Sequence, residues 1–370
     1  MLSLRFLIFI LITSITLFSP GFFIVVFGEV TNFYVADTIK VGTDPHGIAV
    51  NSNTHRIYAP NFYSNNVSVI DGRTNTVIDT IKVGIFPLGI AVDQTKNMIY
   101  VTCVVSRAVY VIDGSTNAVS NTIPVGIAPT GIAVDENTHT AFVANGLGKI
   151  SAIDLSTNKV TDTISVANGP TGIAVDSKRH LVYVANSLSN SLSVIDGTTI
   201  QKVTNIQVEN SPIGVGIDSN SNRVYVANFR SNSVSVIDAS TNTVIDTVQV
   251  GSFPIGVTVD QNMHMVYVVN GGSFDLPVPG TVSIINGSSN AVISTVTVDN
   301  FPIGADVDQN SHILYVANGR SDSVSVVSTD GVVVPEFPLV TNLVLMSGII
   351  MVVFIVIRQN HKKLFFDVPK

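Results

Sequence analysis

The sequence predicts an all-β protein, a ring of seven four-stranded blades closed by its own N-terminal strand, and three observations predict it. A unit of about 42 residues recurs seven times between positions 41 and 330. Within each unit, four short runs alternate apolar and polar residues or are β-branched, and turn residues separate them. The seventh unit stops short of its fourth run, and a matching run stands ahead of the first unit.

Two landmarks fix the period. A Pro followed two residues on by a Gly recurs at Pro45/Gly47, Pro87/Gly89, Pro129/Gly131, Pro170/Gly172, Pro212/Gly214, Pro254/Gly256 and Pro302/Gly304. An aromatic residue then falls at Tyr58, Tyr100, Phe142, Tyr183, Tyr225, Tyr267 and Tyr315, with spacings of 42, 42, 41, 42, 42 and 48 residues, so only the sixth unit carries a real insertion, 271–280. Repeats of this length without helical patterning mean a propeller or a solenoid.

The first run of each unit reads GIAV, the second RIYAP or LVYVA, the third VSVID and the fourth TVIDTIK, which together make one antiparallel blade. Turns such as NSNTH or DENTH separate the first and second runs, and DGRTN or DASTN the third and fourth. Asp and Asn suit them because their side chains bond nearby amides and tolerate left-handed geometry. One blade cannot bury both faces of its sheet and needs a neighbour on each side. The run TNFYVADTIK at 31–40 supplies what the seventh unit lacks after Val327. A solenoid has no reason for that circular permutation, whereas a closed ring uses it to leave no open edge. The reading is a seven-bladed β-propeller over 29–330.

The ends predict topology. Residues 1–28 hold one cation, Arg5, and an apolar run interrupted at Pro20-Gly21, which reads as a signal peptide or an uncleaved signal anchor. A linker, 331–338, contains VPEFP, and its prolines favour a stiff spacer. Residues 339–357 are uncharged and long enough to cross a hydrocarbon core of ~30 Å as a C-terminal transmembrane helix. The tail 358–370 opens with Arg358, His361, Lys362 and Lys363, which the positive-inside tendency assigns to the cytoplasm. The expected location is the cell membrane, single-pass or two-pass, with the propeller facing outside.

Composition narrows the function classes. Charged residues are 12% of the chain and the formal net charge is −7, which argues against a nucleic-acid partner. Cys103 is the only cysteine, so no intramolecular disulfide forms. No cofactor is expected, because no ligand set or phosphate loop rises above the repeat pattern.

The same pattern governs the search for chemistry. His55, His139, His180, His264 and His312 each precede the repeat aromatic by three residues, in the first hairpin turn of five different blades. A metal site needs several ligands at one point, so these read as turn residues and no metal is expected. Aspartates after GIAV and after the third run recur in nearly every unit and read as scaffold. Asp306 departs, standing where other units have Ala49, Ala91, Ala133, Ala174, Gly216 and Thr258 on the innermost strand. A carboxylate there is costly unless bonded or wet; it is either a channel ligand for a cation or polar substrate, or a satisfied Asp.

Side chains that vary between units collect in the loop before the first strand and the loop after the second, which propeller topology puts on one face. They are Phe62, Tyr63, Arg107, Lys149, Phe229, Arg230 and Arg320, with Phe274 and Asp275 from the insertion. Aromatics and arginines carry interface energy, so this face is the candidate binding surface. Two glycosylation sequons begin at Asn66 and Asn286.

The VGxxPxGIAVD run, the YVAN run at Tyr183, Tyr225 and Tyr315, and the SVSVID and TNTVIDT runs resemble the YVTN-type β-propeller repeat of archaeal surface-layer proteins and related bacterial propellers. The resemblance covers about residues 31 to 330, and unit two departs most, reading Tyr100-Val101-Thr102-Cys103. It implies location and architecture more than a reaction. VPEFP also resembles a PEF-type sorting signal of archaeal surface proteins, which would imply removal of the apolar span. The expected function is a membrane-anchored surface-layer, adhesion or binding module with a protein or glycan partner. The alternative is a lactonase-like or other hydrolytic propeller with its site at the central channel.

Overall fold

The computed structural model describes residues 32–273 and 278–329. Twenty-eight strands in this range form seven antiparallel sheets of four, each taken in chain order except one. The exception is the seventh blade, whose strands Pro302–Val307, Leu314–Asn318 and Ser323–Thr329 are completed by Phe33–Lys40. That strand pairs antiparallel from Phe33↔Thr329 to Lys40↔Ser323, so the predicted closure by the N-terminal strand is what forms. The signal segment, the linker and the predicted transmembrane helix lie outside the described residues. Among the described residues no helix is long and apolar enough to cross a membrane.

The core lies between blades. Seven hydrophobic clusters correspond to seven interfaces, and the repeat aromatic of each blade packs into the next: Tyr58 with Ile99 and Val101, Phe142 with Val182 and Val184, Tyr315 with Ile57 and Ala59 across the closure. Burying one such ring stabilises by about 2–3 kcal/mol relative to exposure.

The Pro-x-Gly landmark belongs to this contact. A Cβ placed on Gly172 would sit 2.1 Å from the carbonyl oxygen of Ile213 in the next blade, and on Gly214, 2.2 Å from that of Ile255. Adjacent innermost strands approach so closely here that only glycine fits. The outer strands show the opposite need, since they are edges. Each pairing is bulged at an equivalent place, as between Val69 and Ile70 of the partner strand in blade 1 and at Val35/Asp37 in blade 7. A bulge twists the edge and discourages strand addition by other chains.

The turn chemistry follows the sequence reading. Residues with φ between 53° and 60° occupy the first hairpin turn of every blade, and five of them are the repeat histidines. Phe33 and Thr329 pair at the end of blade 7 that carries these hairpin turns, so both chain ends leave the ring on that face, called here the lower face.

Candidate functional site

The two faces of the ring are built differently. On the lower face, hydrogen bonds run from blade to blade. Asn53 Nδ2 donates to the Gln94 carbonyl, Asn137 Nδ2 to that of Ser177, Asn220 Nδ2 to Gln261, Asn262 Nδ2 to Gln309 and Asn310 Nδ2 to Ser52. The last of these crosses the closure.

Four of the five repeat histidines join the same girdle, whereas His139 Nδ1 has no hydrogen-bond partner among the described residues. The Nδ1 of His55 lies 2.7 Å from Asp308 Oδ2, His180 Nδ1 2.8 Å from Asp135, His264 Nδ1 2.6 Å from Asp218 and His312 Nδ1 2.6 Å from Asp260. Every pair joins a turn histidine to the buried aspartate that ends the innermost strand of the preceding blade. The turn role expected for these histidines is thus an inter-blade role as well. The sequence held a partial signal for it: blade 1 has Asn51 where others have that Asp, blades 2 and 5 have Asn97 and Asn222 where others have His, and Asn51 Nδ2 donates to Asn97 Oδ1 at 2.8 Å.

Asp306 lines the innermost layer and is enclosed by three blades. Its Oδ2 accepts the Val50 N–H of blade 1 at 2.9 Å. Its Oδ1 accepts the Thr258 hydroxyl of blade 6 at 3.1 Å and its neighbour Val307 N–H at 2.9 Å. Burial pushes the carboxyl up to about 6 against the pull of these donors. Of the two readings of Asp306, this geometry favours the bonded one, a tie across the closure. Among the described residues no group of three or more His, Cys, Asp or Glu side chains is placed to hold a metal ion.

The opposite, upper face gathers the copy-specific side chains. In each blade the loop before the first strand and the loop after the second are zipped by backbone bonds: Phe62 N–H to Asp44 carbonyl at 2.9 Å, Val105 to Ile85 at 3.3 Å, Gly146 to Ile127 at 2.8 Å, Arg230 to Asn210 at 3.2 Å. Phe62 stacks on Phe86 of the next blade with centroids 4.5 Å apart, and Tyr63 stands edge-on to both. Phe229 tilts against Phe253 at 5.2 Å, and the Arg320 guanidinium lies 4.7 Å over the Phe301 ring. These face candidates therefore form separate aromatic pairs around the rim. Lys149 begins the strand Lys149–Asp154 and its Nζ donates to Ser165 Oγ at 2.8 Å. Phe274 and Asp275 lie outside the described residues.

Arg107 occupies a slot with a structural use elsewhere. The equivalent Asn65, Asn190, Asn232 and Asp322 each accept, at 2.9 Å, the N–H of the residue before the next blade's Pro. Arg107 sits there at φ 52° with no acceptor to offer. Blade 2 gives up both the stitch and the residue type suited to a left-handed backbone.

Sequence reasoning missed the exposed aliphatic tips of this face. Leu147 is 81% exposed and Leu188 80%, beside Tyr63 at 63%. Ile85, Val105 and Ile127 are about half exposed. An open groove of about 370 Å³ on the shoulder of blade 3 has Ile127, Leu147 and Lys149 in its wall. Of the sequons, Asn66 opens the strand Asn66–Asp71 at the upper end of blade 1 and its Oδ1 accepts from Asn61 Nδ2, while Asn286 ends a strand at the lower end of blade 6 and its Oδ1 caps the Ser288 and Ser289 N–H groups. No family model matches this chain, and no curated protein matches it in sequence.

Proposed function

We propose that the chain is an extracytoplasmic recognition module, a YVTN-type surface propeller that binds a partner protein or cell-surface glycan through its upper face and is held at the membrane by its terminal segments. The observation that carries this is the division of labour between the faces. Lower-face side chains are largely spent on bonds between blades; the upper face has its own stitches between blades, but its tips also present exposed aromatic, aliphatic and arginine side chains that differ from copy to copy. Side chains of those types, placed on rigid zipped loops, suit recognition. Phe33 and Thr329, near the two ends of the described chain, pair on the lower face, opposite these tips.

The test is capture from a cell-envelope extract and a glycan array by the purified chain and by a Phe229→Ala/Arg230→Ala variant. Capture lost in the variant supports the reading; equal capture by both refutes this face. A second reading, a hydrolase working at the channel, rests on Asp306, whose carboxyl near 6 falls in the range of a general acid or base. Hydrolysis of lactones or esters by the chain, abolished by Asp306→Asn with the fold intact, would favour it.

A further inference from the structure

The chain contains five Asn-Gly pairs, beginning at Asn145, Asn168, Asn270, Asn286 and Asn318. In such a pair the next backbone nitrogen can close a five-membered ring on the Asn side-chain carbonyl carbon, and glycine puts no side chain in the way. Whether the ring closes depends on whether that nitrogen and the carboxamide are free. A hydrogen-bonded N–H must first break its bond before it can lose its proton and swing onto the side chain.

Four of the pairs are locked. The Gly146 N–H donates to the Ile127 carbonyl at 2.8 Å, Gly271 to Phe253 at 2.9 Å, Gly287 to His264 at 2.8 Å and Gly319 to Phe301 at 3.0 Å. Asn145, Asn270 and Asn318 are buried, with Nδ2 bonded to Ser151, Ser283 and Ser325, and Asn286 Oδ1 caps two N–H groups.

Asn168-Gly169 differs in each respect. It lies in the loop before the first strand of blade 4, where Asn168 is exposed and its carboxamide bonds to nothing among the described residues. The Gly169 N–H likewise has no acceptor among them. The cause lies in blade 3. Gly148 stands, at φ 68°, in the left-handed slot from which Asn65, Asn190, Asn232 and Asp322 bond the N–H before the next blade's Pro. Having no side chain, it offers Gly169 no acceptor, and a Cβ placed on it would lie 3.6 Å from Asn168 Oδ1, so the free carboxamide hangs beside that glycine. The surrounding backbone is anchored, since Ser187 N–H donates to the Gly169 carbonyl at 2.8 Å and Asn168 N–H to Ser189 Oγ at 2.9 Å. Gly169 has φ 73°, a backbone that favours glycine, so the fold keeps the reactive neighbour in place.

We infer that Asn168-Gly169 is a self-modification site that converts an amide on the upper face into a carboxylate. Solvent base takes the Gly169 amide proton and the nitrogen bonds to Asn168 Cγ. The Cγ–Nδ2 bond breaks, and Nδ2 leaves as ammonia with a proton from water. Water then opens the succinimide at either carbonyl, giving aspartate or isoaspartate, with no change of oxidation state. The inference goes beyond the recognition reading and does not depend on it. The new charge appears beside an exposed tip, because a Cβ on Gly169 would lie 2.7 Å from Leu188 Cγ.

Incubation of the purified full chain at mildly alkaline pH, followed by peptide mass spectrometry, tests this. The expected result is a gain of about one mass unit at Asn168, more than about tenfold faster than at the other four asparagines, with isoaspartate detected by enzymatic methylation. In denaturant all five should convert at rates within about threefold of one another, because the bonds that lock four of them are gone. Gly148→Asn restores the missing acceptor and should slow conversion at Asn168 by roughly tenfold, with circular dichroism confirming the fold. Conversion at Asn168 no faster than at the four locked pairs overturns the inference. So does a preference for Asn168 that persists in denaturant, or a folded Gly148→Asn chain that converts as fast as the parent.

Discussion

Asp306 Oδ2 accepts the backbone N–H of Val50 at 2.9 Å and so ties the blade assembled from both chain ends to the first blade of the ring. The carboxyl binds its proton more tightly in the folded ring, at about 6, than the ordinary value of 3.8 in the unfolded chain. A folded-state value that is raised means stability gained on acidification and lost again as pH rises through about 6. The gain amounts to about 3 kcal/mol for a proton held roughly a hundredfold more tightly. The difference in unfolding free energy between the wild type and Asp306→Ala, measured by denaturant titration from pH 4 to pH 7, should therefore favour the wild type increasingly toward pH 4. A difference that is flat with pH contradicts the enclosed carboxylate.

The close approach at the innermost strands predicts the cost of one methyl group. Gly172→Ala must push blade 4 from blade 5, because its Cβ would lie 2.1 Å from the Ile213 carbonyl oxygen. A loss of about 3 kcal/mol is expected, at the high end of overpacking. Gly146→Ala, whose new Cβ meets nothing nearer than 3.2 Å, should cost under about 1 kcal/mol. Chemical denaturation of both variants checks the ranking.

His264→Ala removes the partner of Asp218, whose side chain is 1% exposed, and leaves that carboxylate without its second anchor. About 2 kcal/mol should be lost. Asp218→Asn added to it should recover part, since a neutral amide replaces the stranded charge, as Asn51 already does in blade 1. A double-mutant cycle with no coupling between the two positions would show that the pair does not act as a unit.

Much of the architecture was legible in the sequence because each blade must satisfy its own strands and turns locally. Alternation gave the four strands, Asn and Asp the turns, and the missing fourth run after Val327 the closure. What escaped is what passes between blades. His264 and Asp218 belong to adjacent copies, so neither copy alone displays the pair; Asn51 and Asn97 change together, but Asn222 replaces the histidine opposite an unchanged Asp176, which blurs the trace. Topology gathers the copy-specific loops on one face, yet Leu147 and Leu188 went unnoticed. Leucine in a β-rich chain reads as core, and only the lift of a loop tip above the ring exposes it. Asp306 was singled out as a misfit, but its three donors come from three separate blades and no local pattern shows them.

Cys103 is buried beneath the loops of blade 2, and desolvation pushes its thiol up to about 12. A thiolate that is both scarce and covered should react with a maleimide at pH 8 on the order of a thousandfold more slowly in the folded chain than in denaturant. Comparable rates in the two states would mean that blade 2 opens freely.

That inert thiol lets a single introduced cysteine carry a bulky block to either face. Leu188→Cys on the upper face and Lys96→Cys on the lower face, each coupled to a large polyethylene glycol maleimide, should be compared for capture of envelope components. The account predicts that the block at position 188 abolishes capture, while the block at position 96 leaves it unchanged. Binding that survives the upper block and is lost with the lower one would contradict it.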